Sequence, residues 1–168
     1  MGEIELRLLG PFQAIVNGEP ARFRSDKVRA LLAFLALSPD QPHRRESLAA
    51  LLWPDMPDSV AHNNLRKSLH RLKESLGEVA AESLLTIDRQ SVQFKGDVAR
   101  VDATALSRNV EVCESHAHRR LHTCQECLDR LNEAQALYRG ELLAGFAVSD
   151  SIGFEEWLAL QRERLQQQ

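Results

Sequence analysis

Asp58-Ser-Val-Ala-His-Asn-Asn-Leu-Arg-Lys-Ser-Leu-His-Arg-Leu-Lys-Glu-Ser-Leu-Gly77 is the stretch from which the rest of the chain can be placed. Ala61, Leu65, Leu69, Leu72 and Leu76 recur at spacings of four, four, three and four, the signature of one apolar helical stripe. Asp58 or Ser59 can cap the start, and Gly77 can end the helix. On a wheel of about 100° per residue, Asn63, Arg66, Lys67, His70 and Arg71 fall on the opposite side. No acidic residue occurs between Ser59 and Lys73. One face wants a core and the other wants an anion, and Asn, Arg, Lys and His suit base edges and phosphates in a major groove. The plain alternative is a solvated cationic face with no partner.

Charge places any polyanion site in the first part of the chain. The 168 residues carry a net charge of −3, but residues 1–96 hold 13 Lys and Arg against 12 Asp and Glu, and residues 97–168 hold 8 against 12. A patch is therefore expected, not a basic protein. The first residues lack the long apolar run of a signal peptide, and no window is long enough to span a membrane. The expected location is the cytoplasm, and three clustered cysteines do not make a disulfide framework.

Upstream of the long helix, Ile4–Leu9 and Phe12–Val16 read as short strands around Gly10-Pro11. Asn17-Gly18 is a hairpin turn that would return Ala21–Arg24 as a third strand. Ser25 opens a broadly apolar helix to about Leu37, ended by Ser38-Pro39-Asp40-Gln41-Pro42. A shorter helix over Arg45–Leu52 stops at Trp53-Pro54. Downstream, Glu78–Ser83 is a linker able to extend helically. Leu84–Asp88 and Ser91–Lys95 then form a hairpin with Arg89 near its tip. Sheet, three helices and hairpin, with cations on the last helix and on the hairpin, make the α+β arrangement of a winged helix: a helix for the major groove and a strand pair for the adjacent backbone or minor groove.

From about residue 97 the composition changes. Helices are expected from Asp102 to about Ser115, from Cys124 or Gln125 to Tyr138, and from Phe154 to Gln168. Together they suggest an all-helical second domain of stacked hairpins over 97–168, after a winged-helix domain over 1–96. The last helix has no evident partner, which suggests a fragment of a longer protein.

Three stretches carry a resemblance to a known family: Arg24-Ser-Asp-Lys-Val-Arg-Ala-Leu-Leu-Ala-Phe-Leu-Ala-Leu37, Arg45-Glu-Ser-Leu-Ala-Ala-Leu-Leu-Trp-Pro54 and Asn63-Asn-Leu-Arg-Lys-Ser-Leu-His-Arg-Leu-Lys73. They resemble the DNA-binding half of the antibiotic regulatory protein (SARP) family of bacterial activators, itself similar to the OmpR-type winged helix. Tyr138-Arg-Gly-Glu-Leu-Leu-Ala-Gly-Phe146 and Phe154-Glu-Glu-Trp-Leu-Ala-Leu-Gln-Arg-Glu-Arg-Leu165 resemble the bacterial transcriptional activator domain that follows it. The resemblance implies a transcriptional activator with a tetratricopeptide-like helical region, short here. It would bind double-stranded DNA at direct repeats as neighbouring protomers and contact RNA polymerase. It also implies base contacts from Asn63, Arg66, Lys67, His70 and Arg71, while Arg44, Arg45 and Arg89 fit phosphate or minor-groove contacts. A protein-interaction module with the winged helix as scaffold is the competing reading. No phosphate-cradling glycine loop, nucleophile elbow or carboxylate pair points to an enzyme.

One further cluster calls for a reading of its own. Within His116-Ala-His-Arg-Arg-Leu-His-Thr-Cys-Gln-Glu-Cys127, two thiols three residues apart and two histidines four apart can supply a tetrahedral zinc through His118, His122, Cys124 and Cys127. Structural zinc is the one cofactor suggested. Buried, unliganded cysteines, with Cys113 and Cys127 as small core residues, are the plain alternative. Redox chemistry is a third, without the strand–helix setting of a thioredoxin.

Overall fold

The computed structural model describes residues 3–117 and 121–168. The chain opens with β1 (Ile4–Arg7), β2 (Gln13–Val16) and a two-residue β3 (Glu19–Pro20). Ala21–Arg24, expected as the returning strand, leaves the sheet after one hydrogen bond from the Ala21 amide to the Ala14 carbonyl. Next come α1 (Asp26–Ala36), β4 (His43–Arg44), α2 (Arg45–Leu52), α3 (Asp58–Leu76), α4 (Glu78–Leu84), β5 (Leu85–Ile87) and β6 (Ser91–Phe94). The chain continues through β7 (Ala99–Val101), α5 (Asp102–Ser115), a 3-10 turn (Leu121–Thr123), α6 (Gln125–Leu137) and α7 (Ile152–Gln166).

Two small sheets result. One has the order β3-β2-β1-β7, with β1 antiparallel to β2 and parallel to β7. The other, β4-β6-β5, is antiparallel throughout. Neither β4 nor β7 has a strand signature of its own; each is recruited by the edge of a longer neighbour.

The helix of Asp58–Leu76 forms for the reason its spacing gives. Ala61, Leu65, Leu69, Leu72 and Leu76 are all buried, and Ser68 joins them. Its first turn uses neither expected cap: Pro57 occupies the capping position, with no side-chain capping bond. Proline loses nothing there, because the first amides of a helix have no partner within it. Gly77, at φ 84°, turns the chain through the left-handed region into α4. The α1 helix is the central buried element, with Val28, Ala30, Leu31, Leu32, Ala33, Leu35 and Ala36 covered.

One continuous apolar core runs from the first strands into the later helices. It includes Ile4, Leu6 and Leu8, the stripes of α1–α3, Phe94, and also Leu142, Leu143, Phe154 and Leu158. The last helix, expected to lack a partner, packs back on the first helices. Trp157 stacks obliquely on Phe34 of α1 at 4.8 Å between ring centroids. Ser151 donates its hydroxyl to the Leu52 carbonyl at the end of α2 (2.6 Å). Lys27 of α1 bridges to Asp150 (2.9 Å).

The segment before α7 is stitched to the first sheet through Gly10 N to Glu141 O (3.0 Å) and Leu143 N to Leu8 O (2.7 Å). A side chain at Gly140 would press on the Gly10 backbone at 3.4 Å, so two glycines meet where the strands come closest. No helix among the described residues is long and apolar enough to cross a membrane.

A cationic groove between the long helix and the hairpin

Burying one stripe of α3 turns the other outward. Asn63, Arg66, Lys67, His70 and Arg71 are all exposed, and none of α4–α7 covers them. Arg66 donates to the Asn63 side-chain oxygen (3.0 Å), which holds two polar ends together one turn apart. His70 lies 3.5 Å from Glu74, so the far end of this face carries one carboxylate.

The hairpin is shaped by Asp88. Its carboxylate accepts hydrogen bonds from the Gln90 amide (2.7 Å), the Ser91 amide (2.6 Å) and the Ser91 hydroxyl (2.9 Å). Those bonds hold the Asp88 carboxyl below its ordinary range, because they favour the charged form. The same turn presents Arg89 to solvent.

Short β4 then ties α2 to this hairpin. His43 pairs with Val92 and Arg44 with Ser91, and the Arg45 amide reaches the Gln90 carbonyl (2.8 Å). Arg45 also donates its guanidinium to the Asp88 carbonyl (3.1 Å). Arg44, at the end of β4, and Arg45, the first residue of α2, are thus part of the hairpin edge.

These elements enclose an open groove of about 480 Å³ lined by Arg44, Arg45, Glu46, His62, Asn63, Arg66, Arg89 and Gln90. Four guanidinium groups face one carboxylate, Glu46. Five of the eight residues expected to touch nucleic acid meet here, brought from positions up to 45 apart. Lys67 and His70 continue along the helix. Arg71 lies in a separate shallow hollow with Arg22, Arg24 and Glu74.

His62, Gln90, Arg22 and Arg24 were not singled out by the sequence pattern. His62 could have been, since it stands four residues before Arg66 on the same helix face. Arg22 and Arg24 could not, because only the path after β3 brings them beside α3.

The thiol cluster lies elsewhere, where α5 turns into α6. His116 Nδ1 is 3.0 Å from Cys127 Sγ and 3.5 Å from Cys124 Sγ. The imidazole that meets the thiols is therefore His116. His122, expected as a ligand, is exposed on the 3-10 turn and outside this group, and His118 lies outside the described residues. Cys113 and Cys127 are buried, and the Cys113 thiol points at the Cys127 carbonyl (3.6 Å). Burial pushes the Cys127 thiol up to about 12, and hydrogen bonds with the neighbouring Cys124 and Cys113 thiols add to the rise.

No protein-family model matches the chain. Over 74 residues it is 31% identical to the transcriptional regulatory protein EmbR of Mycobacterium bovis and to that of Mycobacterium tuberculosis, a match covering 44% of this chain and 19% of those proteins. The chain therefore spans well under two thirds of the curated relatives it matches. A solved structure of Mycobacterium tuberculosis EmbR in complex with a low affinity phosphopeptide aligns at a TM-score of 0.74 and 20% identity, covering 99% of this chain and 44% of that one. From its first strand to its last helix, the chain has the fold of part of a mycobacterial transcriptional regulatory protein.

Proposed function

We propose that the chain is a sequence-specific DNA-binding transcriptional activator built as an OmpR-type winged helix followed by a tetratricopeptide-like helical region. In this reading α3 enters the major groove. The β5–β6 hairpin, with Arg44 and Arg45 beside its turn, grips the adjacent backbone or minor groove. One observation carries the proposal: guanidinium groups from four separate elements, Arg44 of β4, Arg45 of α2, Arg66 of α3 and Arg89 of the hairpin turn, converge on one open groove beside the amide of Asn63. Arginine and asparagine are the side chains that read guanine and adenine edges in pairs of hydrogen bonds. The similarity to proteins named as transcriptional regulators supports the same reading.

The acidic region after residue 97 faces a different task. Its helices would present a surface to RNA polymerase or to a second protomer on a direct repeat, consistent with the SARP resemblance. DNA lies on the α3 side, so both engagements can coexist.

A gel-shift titration with a random duplex pool at low salt tests this, followed by selection of the retained sequences. Binding at micromolar protein is expected, falling steeply with salt. The double variant Arg66→Ala, Arg71→Ala should weaken binding roughly tenfold or more, at about 1–3 kcal/mol per lost base contact, with helicity unchanged. No retardation, or affinity indifferent to salt, overturns the proposal.

A further inference from the structure

The turn between α5 and α6 carries donor chemistry that DNA binding does not use. Cys113 and His116 leave the end of α5, and Cys124 and Cys127 enter α6, giving the spacing Cys-x2-His-x7-Cys-x2-Cys. Each helix end thus offers two ligands three residues apart, so both can point at one ion.

The geometry agrees with the pattern. The ligand atoms of His116, Cys124 and Cys127 all lie within 4.8 Å of one another. A tetrahedral zinc with bonds of about 2.3 Å to sulfur and about 2.0–2.1 Å to nitrogen sets its nitrogen and sulfur ligands roughly 3.6 Å apart. The two such separations here are 3.0 and 3.5 Å. Cys113 falls outside that close group, but its buried thiol lies 3.6 Å from the Cys127 carbonyl and is the remaining thiol beside the cluster, to be drawn in as the fourth ligand.

The packing gives the ion something to do. The α6 helix buries only Cys127 and Ala134, and at the turn end of α5 the buried side chain is Cys113. The one larger apolar side chain that α5 buries, Leu106, lies toward the other end. A helix pair with so thin a core at one end gains most from a covalent or metal clamp.

We propose that Cys113, His116, Cys124 and Cys127 form a structural zinc site that clamps α5 to α6. Three thiolates and an imidazole suit zinc; magnesium and calcium prefer oxygen donors, and the set contains no carboxylate. The site is closed, with four protein ligands and no open position for catalysis. The thiols release their protons to solvent on binding, and no redox step is involved.

The test begins with the intact chain purified without a metal-affinity tag. Elemental analysis should find about one zinc per chain. Replacing it with cobalt should give the intense visible absorption of tetrahedral thiolate coordination. Less than half an equivalent of zinc together with no such cobalt spectrum on titration overturns the site. Variants then assign the ligands by metal affinity. Cys124→Ser and His116→Ala should each bind zinc roughly tenfold or more weakly, and His122→Ala should bind like the parent chain. Full affinity in His116→Ala, or its loss in His122→Ala, overturns the ligand set. The readout is metal content, so it stands or falls independently of DNA binding.

Discussion

Arg139 donates to Asp102 over 2.7 Å, linking the segment after α6 to the first residue of α5. The carboxylate is almost fully buried and also accepts the amides of Leu8 (2.7 Å), Leu9 (3.0 Å) and Ala103 (2.8 Å). Leu8 and Leu9 follow β1. One side chain thereby joins the first sheet, the start of α5 and the end of the α5–α6 pair. Val101, and not Asp102, holds the capping position of α5, with no side-chain capping bond; Asp102 is the first helical residue and satisfies two amides more than ninety residues away.

Asp102→Ala would leave the Leu8 and Leu9 amides buried without partners. Each such orphan costs about 1–3 kcal/mol, so the variant should lose roughly 3 kcal/mol or more. Arg139→Ala should cost less, since its guanidinium is partly exposed and the amides keep their carboxylate. Urea unfolding of both single variants and the double variant gives the coupling. Strict additivity would show that the pair is not a working contact.

Arg89 and Asn63 should differ in kind, not only in degree. Arg89 is at the tip of the hairpin, and Asn63 is on the face of α3. Arg89→Ala should weaken binding to all duplexes about equally and reduce the salt slope by about 1. Asn63→Ala should leave the slope alone and relax the base preference at one position. Fluorescence anisotropy at several salt concentrations, on matched and mutated duplexes, separates the two. An unchanged slope for Arg89→Ala would remove the hairpin from the interface.

His43 should make stability depend on pH below neutrality. Its ring packs edge-on to Phe34 at 5.0 Å, and among the described residues its Nε2 is buried without a hydrogen-bond partner. Burial holds its pKa below the ordinary 6.5, partly offset by a hydrogen bond with the Ser38 backbone. Between those two values the folded chain binds fewer protons than the unfolded one. The contribution of the neutral ring is therefore complete above pH 6.5 and is lost as the pH falls through the folded value. Thermal unfolding should show this decline in the parent chain and a flatter profile in His43→Gln. The same slope in both would refute the assignment.

Read alone, the sequence determined the long helix and the direction of its two faces. Leucine spacing and charge placement are local, and a helix converts them directly into an inside and an outside. The tight turn at Asp88-Arg89-Gln90-Ser91 was legible for the same reason. Tertiary structure decided what local pattern cannot encode. It made strands of His43–Arg44 and Ala99–Val101, segments too short to have a period, by offering them a sheet edge. It brought Arg44, Arg45 and Arg89 to the same groove as Arg66, chose His116 over His122 to meet the thiols, and folded α7 onto α1 and α2. Each of these depends on which distant segment arrives alongside, set by burying the core as a whole and not by any stretch of residues taken singly.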